Sequence, residues 1–353
     1  MKMSKPRIDL PHITDAPLCI HVNRNGFKES LHEVDVAVCD ADGTVILGMG
    51  DVESVVFPRS AMKPLQAIAL VERLGASDNL PEFSPAEIAL ICASHNGEDL
   101  HTSAVTALLG KYDIPIDDLI CGAHWSPHEE TLIAQVRRMD KPHKIHNNCS
   151  GKHAGMLILS KLINGTTSGY AERTNATQQR ILGVLEFMTG SDLMHYAHGI
   201  DGCGAPVFAA PLGNWARAFA LFAGGGDLPE ARHLACQRIR KCIAAEPFYI
   251  AGHDRACSAI NAAYGEAITA KTGAEGVYSA AFHEYGLGAM VKARDGSKRG
   301  AEVAIGAVIQ ALGYPVESSV DKFFHPKLLN WAGTEVGDIT LPNLGMLKLS
   351  QTQ

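Results

Sequence analysis

Three short strings in this chain contain the residue types that let a lysine activate a serine. They are Ser60-Ala61-Met62-Lys63, Ser94-His95-Asn96 and Lys271-Thr272-Gly273, and they read in chain order as S-x-x-K, S-x-N and K-T-G. A serine hydroxyl is a weak nucleophile at neutral pH, and a lysine activates it only when burial or a second cation keeps the amine neutral. Each string alone is common by chance, but the three in this order predict acyl transfer by a serine with lysine as the base.

The first string is predicted to lie at the start of a helix. A spacing of three places Ser60 and Lys63 on the same helical face, one turn apart. Apolar residues then recur at helical period until Gly75, which is a stop signal. Pro64 is tolerated only in or near the first turn. We therefore expect Ser60 at a helix N-terminus, where the dipole and free amides favour developing negative charge.

A second polar segment lies at residues 146–155 and contains side chains that can coordinate or donate. An apolar run follows it directly, which is typical of a loop that leads into a helix at a site. Cys149 and His153 are four apart and could ligate one metal ion, with Cys203 as a distant third ligand. The alternative, which the residues alone leave open, is that the cysteines pack as small apolar groups.

The composition is typical of a globular protein that binds a small molecule. The 353 residues are 46% hydrophobic, which is enough to bury a large core. A net charge of -7, with no basic cluster beyond 238–241, argues against nucleic acid as a partner. The sequence contains no stretch of membrane-spanning length and no secretory signal, so we expect no membrane partner. The 9 cysteines contain no C-x-x-C pair, which predicts reduced thiols and a cytoplasmic location.

The elements around these motifs are predicted to form a sheet covered by helices. Strands are expected at 34–39 and 45–47, joined by a turn at Asp42-Gly43, and again at 276–282 and 287–293. Helices are expected at 177–188, 229–245 and 302–312. Because the strands cluster near the two ends of the chain, both ends are expected to contribute to one sheet.

Five segments resemble the rhizobial-type (class 3) L-asparaginases, namely 58–64, 92–98, 148–156, 201–203 and 270–276. The resemblance runs from about Arg24 to beyond Pro326. It implies an α/β fold similar to the serine β-lactamases and the β-lactamase-like glutaminases, with a mixed, largely antiparallel sheet flanked by helices plus a helical region. It also implies a single domain over 20–350 after an N-terminal extension over 1–19.

The resemblance implies an amidohydrolase of asparagine catabolism, which cleaves the side-chain amide of L-asparagine to L-aspartate and ammonia. Two Ser-Lys pairs would be catalytic, Ser60 with Lys63 and Ser94 with Lys271. Ser60 would attack first, and Ser94 stays open as the alternative nucleophile. Asn96, which an analogy with penicillin-binding proteins would make catalytic, receives no role.

The same resemblance implies one zinc ion per chain and a homodimer. Zinc would be held by Cys149, Lys152 and Cys203. Asp201 would pair with the α-ammonium group of the substrate, and the residues expected to line the pocket are Arg59, Asn148, His153 and Arg255. The chain departs from the family pattern at Gly252-His253-Asp254-Arg255, which has His and Asp where a Glu-Gly-like pair is expected.

Other classes of function stay open from the sequence. A β-lactamase-like glutaminase or a penicillin-recognising serine hydrolase would share the S-x-x-K string. A non-enzymatic zinc-binding protein would need only the two cysteines. Ammonia release from asparagine and from glutamine, with and without a chelator, separates these classes.

Overall fold

The computed structural model describes residues 12–77 and 79–343. The strands are β1 (His12–Thr14), β2 (Leu18–Arg24), β3 (Phe27–Cys39), β4 (Val45–Met49), β5 (Val55–Val56), β6 (His198–Ile200), β7 (Pro206–Phe208), β8 (Ala210–Pro211), β9 (Ile268–Gly273), β10 (Val277–Phe282), β11 (Leu287–Ala293), β12 (Leu328–Leu329) and β13 (Glu335–Thr340). Residues 1–11 of the predicted extension and 344–350 of the predicted domain lie outside the described residues.

Helices occupy most of the middle of the chain. They are α1 (Lys63–Gly75), α2 (Pro85–Ile91), α3 (Asp99–Gly110), α4 (Glu129–Arg138), α5 (Ser150–Asn164), α6 (Ala176–Thr189), α7 (Leu212–Ala223), α8 (Glu230–Ala245), α9 (Ala256–Tyr264), α10 (Lys298–Ala311) and α11 (Ser318–Phe324). Short 3₁₀ turns lie at Arg59–Met62, Ile116–Asp118, Lys144–His146, Leu193–His195, Pro247–Ile250 and Gly265–Ala267. None of the helices within the described ranges is long and apolar enough to cross a membrane.

The main sheet has nine strands and is largely antiparallel. Its central path runs β12-β13-β2-β3-β11-β10-β9, and β4 pairs with the second part of β3. The parallel pair is β1 with β4. Two smaller sheets form from β5 with β8 and from β6 with β7. Because β2 and β13 pair, the prediction that both ends of the chain share one sheet is confirmed, as is the mixed, largely antiparallel fold class.

Helices α7 and α10 cover opposite faces of this sheet. Side chains alternate between the two faces along a strand. At Gly288 of β11 an added Cβ would overlap the Ala216 carbonyl of α7, so this face lies directly against that helix. Ala293 is five residues after Gly288 in β11, so it faces the other side of the sheet, and it lies against Gly300 of α10. The sheet is therefore buried on both sides, and its core continues into the helices.

A helical region packs beside the sheet around α1. Helix α1 contacts α5, α6 and α8, and α2 contacts α5 and α8. Almost every residue of α1 is buried, as expected for a helix at the centre of a core. Its N-terminal end, which carries the first string, points to the 3₁₀ turn at Arg59–Met62 and to β9.

The predicted elements are found near their expected positions. The hairpin at 34–47 is formed by β3 and β4, and the strands at 276–293 are β10 and β11. The three predicted helices are α6, α8 and α10. Helix α10 begins four residues earlier than predicted because the Ser297 side chain caps it, accepting a hydrogen bond from Gly300 N at 3.2 Å.

Candidate active site

Ser60 lies in a 3₁₀ turn, and Lys63 begins α1 directly after that turn. The turn covers Arg59–Met62, and α1 begins at Lys63 with Pro64 in its first turn, as predicted. Arg59 has a φ of 50°, in the left-handed region that non-glycine residues seldom adopt. Ser60 is half-buried, and its hydroxyl makes no hydrogen bond to another residue of the described chain. The hydroxyl is therefore free to meet a ligand.

Lys63 makes its hydrogen bonds with other segments of the chain. The side chain is buried, and Nζ donates to Ala93 O at 2.5 Å, to Ser94 Oγ at 2.9 Å and to Cys149 Sγ at 3.1 Å. The structure thus joins Lys63 to Ser94 by a hydrogen bond, and no hydrogen bond of the described chain joins it to Ser60, three residues earlier.

Lys271 reaches the same serine from the sheet. It lies in β9, fully buried, and Nζ donates to Ser94 Oγ at 2.9 Å and to Thr272 O at 2.9 Å. Burial lowers the pKa of Lys271 to about 7, and the positive charges of Lys63 and Arg255 act in the same direction. Lys271 can therefore gain or lose a proton near neutral pH.

The backbone around Ser94 is fixed by a neighbouring loop. Ser94 N donates to Ile250 O at 3.0 Å, and Asn96 N donates to Ala251 O at 2.9 Å. These bonds hold the segment that follows α2, so the Ser94 hydroxyl is presented to both lysines at equal distance.

Cys149, Lys152 and Cys203 converge in a buried cluster. Lys152 Nζ donates to Cys203 Sγ at 2.9 Å. A hydrogen bond from Cys203 holds the pKa of the Cys149 thiol well below its usual value; burial opposes this, and the charges of Lys63 and Lys152 favour it. The same sulfur contact, together with burial, raises the pKa of Cys203.

Cys149, Lys152 and Cys203 carry donor atoms of the kinds that zinc accepts. Thiolate sulfur and neutral nitrogen are ligands that zinc accepts, and a lysine must lose its proton to bind. Burial lowers the pKa of Lys152, but the charges of Cys149 and Cys203 outweigh burial and raise it overall. Within residues 12–77 and 79–343 no group of three His, Cys, Asp or Glu side chains is arranged to hold a metal. A metal at this cluster would therefore need the Lys152 amine as a ligand.

Asp201 is paired with Arg59. Asp201 Oδ1 accepts hydrogen bonds from Arg59 Nε at 3.0 Å, from Arg59 Nη2 at 2.7 Å and from Gly202 N at 2.7 Å. Burial raises the pKa of Asp201, but the Arg59 hydrogen bonds and the charges of Lys152 and Arg59 outweigh burial. The pKa of Asp201 is therefore below its ordinary value, and the carboxylate is ionised. Oδ2 accepts no hydrogen bond from the described residues, so it can receive an ammonium group.

The other three predicted pocket residues have different surroundings. His153 is fully buried with Nδ1 2.8 Å from Tyr170 Oη, and its Nε2 has no partner in the described part of the chain. Burial, with the charges of Lys152 and Lys63, holds the pKa of His153 well below its usual value. Asn148 precedes Cys149 and is half-buried, and Arg255 Nη1 donates to Asn96 Oδ1 at 2.7 Å.

Two residues to which the sequence analysis gave no role help to build the site. Tyr170 holds the His153 ring, and no motif marks it. Asn96, to which we gave no role, contacts Arg255 and the loop before α9. The S-x-N string contained Asn96, so the signal was present for that residue.

The sequence model of the L-asparaginase II family matches residues 20–341, which is most of the chain. No curated protein sequence matches the chain.

Several solved structures are similar at low identity. The native form of Mglu has a TM-score of 0.45 and 11% identity, covering 78% of this chain and 63% of that chain. A β-lactamase from Mycobacterium bovis has a TM-score of 0.40 and 14% identity, covering 79% and 94%. The octameric penicillin-binding protein homologue from Pyrococcus abyssi has a TM-score of 0.41 and 16% identity, covering 85% and 80%. The chain spans less than two thirds of the length of the Mglu structures.

Proposed function

Because the chain belongs to the L-asparaginase II family, we propose that it hydrolyses the side-chain amide of L-asparagine to L-aspartate and ammonia through a Ser-Lys mechanism. The mechanism is supported by one observation: the amines of the buried Lys63 and Lys271 each lie 2.9 Å from Ser94 Oγ. Such a group of side chains can move protons to and from a serine during acyl transfer. Family membership supports amidohydrolase activity and an amide substrate.

In the first step Ser60 Oγ bonds to the side-chain amide carbon of the substrate. The Ser60 proton passes to Lys63 in its neutral form, and the carbonyl oxygen becomes an oxyanion. Backbone amides near Ser60, at the start of the 3₁₀ turn, would hold this oxyanion. The free and half-buried hydroxyl supports Ser60 in this role, and Ser94 is the alternative nucleophile.

In the second step the C–N bond breaks and ammonia leaves. The leaving nitrogen takes a proton from the Ser94 hydroxyl, and Lys63, which holds the proton from Ser60, restores it. Water then attacks the β-aspartyl ester and gives one proton to neutral Lys271. A proton passes through Ser94 and Lys63 to Ser60 Oγ as the ester bond breaks and L-aspartate leaves. Protons balance over the cycle, since the relay returns to its starting state.

The substrate would be bound as a free amino acid. Asp201 has an unpaired carboxylate oxygen for the α-ammonium, and Arg59 fixes the orientation of that carboxylate. The neutral His153 and Asn148 would line the pocket beside it. Glutamine differs from asparagine by one methylene, which a pocket discriminates by only about 1–3 kcal/mol, so a glutaminase side activity is the alternative to measure.

We propose in addition that Cys149, Lys152 and Cys203 hold one zinc ion per chain. A bound zinc ion would supply a fixed positive charge and Lewis acidity next to the site. Metal content per chain, measured on Cys149→Ser and on the matched control Cys236→Ser, tests this proposal. Loss of metal in Cys149→Ser alone is expected, and equal metal content in both variants would exclude the site.

Ammonia release tests the enzymatic proposal. Ser60→Ala should lose nearly all turnover of L-asparagine, while the exposed control Ser319→Ala should keep it. An asparagine analogue with a diazoketone in place of the amide would alkylate the first nucleophile, and peptide mapping would then identify it. A label on Ser94 would move the first attack there, and a wild-type protein that releases no ammonia from asparagine would refute the activity.

We propose a homodimer in the cytoplasm as the working form. The family resemblance implies the dimer, and the cysteines of the described residues are all free thiols, which suits a reducing compartment. Light scattering on the purified protein measures the oligomeric state directly.

A further inference from the structure

The outer edge of β9, the strand that carries Lys271, is paired with side chains of α9. Within the described part of the chain β9 is the last strand of its sheet, with β10 on one side only. The main-chain groups of Ala270 and Thr272, on either side of Lys271, point away from β10 towards α9. N–H and C=O groups at a buried sheet edge cost free energy unless another group bonds to them.

Asn261 of α9 bonds to Ala270 as a residue of a neighbouring strand would. Its Oδ1 accepts a hydrogen bond from Ala270 N at 3.1 Å, and its Nδ2 donates to Ala270 O at 2.8 Å. Nδ2 also donates to Cys257 O at 2.7 Å, one turn earlier in α9. Asn261 is fully buried, so bulk water cannot replace these bonds. This asparagine therefore fixes the main chain directly before Lys271.

Cys257 holds the main chain directly after Lys271. Its Sγ accepts hydrogen bonds from Thr272 N at 3.1 Å and from the buried Tyr278 Oη at 3.3 Å. The Thr272 carbonyl accepts a hydrogen bond from Lys271 Nζ at 2.9 Å. The residue that Cys257 holds is therefore also a contact of the Lys271 amine.

The loop that leads into α9 holds the serine that Lys271 contacts. Ser94 N donates to Ile250 O at 3.0 Å, and Asn96 N donates to Ala251 O at 2.9 Å. Residues 250–261 thus bond to the Ser94 segment at one end and to β9 at the other. The distance of 2.9 Å between Lys271 Nζ and Ser94 Oγ is therefore fixed by one stretch of chain.

We propose that Asn261 and Cys257 are positioning residues that hold the Lys271 amine at Ser94 by fixing the main chain on both sides of Lys271. The inference rests on the proposed Ser-Lys mechanism, in which Lys271 takes a proton from water and passes it to Ser94. Proton transfer needs the two groups within hydrogen-bond reach, and a displacement of about 1 Å can cost about 100-fold in rate. Because Lys271 has no part in binding the substrate, the two residues should affect kcat and not KM.

Asn261→Leu tests the proposal through kcat and its pH profile. The variant keeps a side chain of similar size but leaves both main-chain groups of Ala270 without partners. It should lower kcat for L-asparagine roughly 10- to 100-fold with KM little changed. Burial holds the pKa of Lys271 at about 7, so an amine displaced towards water should shift the rise of kcat to higher pH. The other ionisable groups that act on this pKa are unchanged in the variant, namely Cys257, Lys63, Arg255 and Cys149.

Thr189→Val is the matched control for the loss of a buried hydrogen bond. Thr189 is fully buried in α6, which packs against α1, α5 and α7, and its Oγ1 donates to Leu185 O at 2.8 Å. The variant should lose stability in urea unfolding but keep the wild-type kcat and pH profile. A fall in kcat as large as that of Asn261→Leu would exclude the positioning role.

Variants of Cys257 give a second test, which decides the proposal if Asn261→Leu does not fold. Serine keeps an acceptor for Thr272 N and alanine does not. Cys257→Ser should therefore retain more of the wild-type kcat than Cys257→Ala, compared at a pH where kcat has reached its plateau. Equal kcat values in the two variants would show that the bond to Thr272 does not position the amine.

A double-mutant cycle separates positioning from a general loss of structure. Asn261→Leu should lower kcat by a smaller factor in the Lys271→Arg background than in the wild type, because both changes act through the same amine. The same factor in both backgrounds would exclude the positioning role.

The outcomes also separate the inference from the activity beneath it. If the wild type hydrolyses asparagine and Asn261→Leu keeps the wild-type kcat and pH profile, the positioning role is wrong and the asparaginase proposal stands. If the wild type releases no ammonia from asparagine, the proposed function fails and the inference fails with it.

Discussion

In the proposed mechanism Ser94 transfers protons between the two lysines and the substrate. Its Oγ lies 2.9 Å from the amines of both Lys63 and Lys271. A hydroxyl has one hydrogen and two lone pairs, so when both amines donate to Ser94 its hydrogen is left for a third atom. In the proposed reaction that atom is the leaving nitrogen. Ser60, whose hydroxyl makes no hydrogen bond within the described chain, is the proposed first nucleophile, and Ser94 is the alternative.

The pKa of Lys271 predicts a pH dependence of the rate. In the proposed deacylation step a neutral Lys271 accepts a proton from water, so kcat for L-asparagine should rise as the pH increases through about 7. Lys271→Arg keeps a positive charge that cannot titrate in this range. The variant should lose most turnover, and its remaining rate should no longer rise through pH 7. Full pH–rate profiles of both proteins check the prediction. A Lys271→Arg variant with the wild-type limb would assign that limb to another group.

The same residue predicts a pH dependence of stability. In the unfolded chain the pKa of Lys271 returns to 10.5, whereas in the folded protein it is about 7. Between these values the unfolded state binds more protons, so the free energy of unfolding rises with pH. Lys271→Met removes this term. The variant should therefore be more stable than the wild type below pH 7, and this gain should shrink towards pH 10, as measured by urea unfolding. A difference in stability that does not change with pH would contradict the lowered pKa of the buried Lys271 amine.

At the scale of elements, α5 must approach α2 closely to deliver the cysteine and lysine at its start. Gly151 allows this approach, because a Cβ there would overlap Leu90 O and lie 2.9 Å from Leu90 Cγ. Gly151→Ala should destabilise the protein by about 1–3 kcal/mol, as overpacking usually does. It should also lower turnover, since Cys149 and Lys152 flank the displaced position. Urea unfolding and ammonia release measure the two effects.

Gly183 of α6 supplies the matched control. It is also a helical glycine, but it is exposed, and a Cβ there would meet nothing within 4 Å. Gly183→Ala should stabilise the protein by about 0.5–1 kcal/mol, because alanine loses less backbone entropy in a helix. Changes of the same sign in both variants would show that helix propensity, and not the approach to α2, decides the effect at Gly151.

Local sequence patterns predicted the helices and strands better than the turns and contacts between them. Periodicity located α6, α8 and α10, and Asp42-Gly43 located the β3–β4 hairpin. The 3₁₀ turn that contains Ser60 was not predicted, because its shape depends on its packing against β9. Gly273 of β9 lies so close to this turn that a Cβ would be 2.6 Å from Pro58 O. No spacing along the chain encodes that contact.

At the scale of the whole molecule, the site is assembled from five separate segments. Motif order identified its members, since each string supplies a residue of the observed cluster. The partners were less predictable, because they are set by long-range packing. The hydrogen bond from Lys63 reaches Ser94 and not Ser60, and Asp201 is already bound to Arg59. The sheet and the helical region must both be in place before these side chains meet.

A buried ion cluster ties the helix that begins with Lys63 to the rest of the helical region. Glu72 of α1 accepts a hydrogen bond from Arg232 Nε of α8 at 2.7 Å and also pairs with Arg180 of α6. The side chains of Glu72 and Arg232 are 7% and 10% exposed, whereas that of Arg180 is 48% exposed. The two arginines therefore contribute unequally to the position of α1.

Glu72→Gln should destabilise the protein strongly, because it leaves the cation of Arg232 buried without its carboxylate. Breaking a buried pair from one side costs about 3–5 kcal/mol. Arg180→Gln removes a half-exposed charge that solvent screens, and should cost less than about 1 kcal/mol. Urea unfolding of both variants measures the difference. Equal losses would mean that the cluster acts as one unit, and a negligible loss for Glu72→Gln would mean that apolar packing alone holds α1 in place.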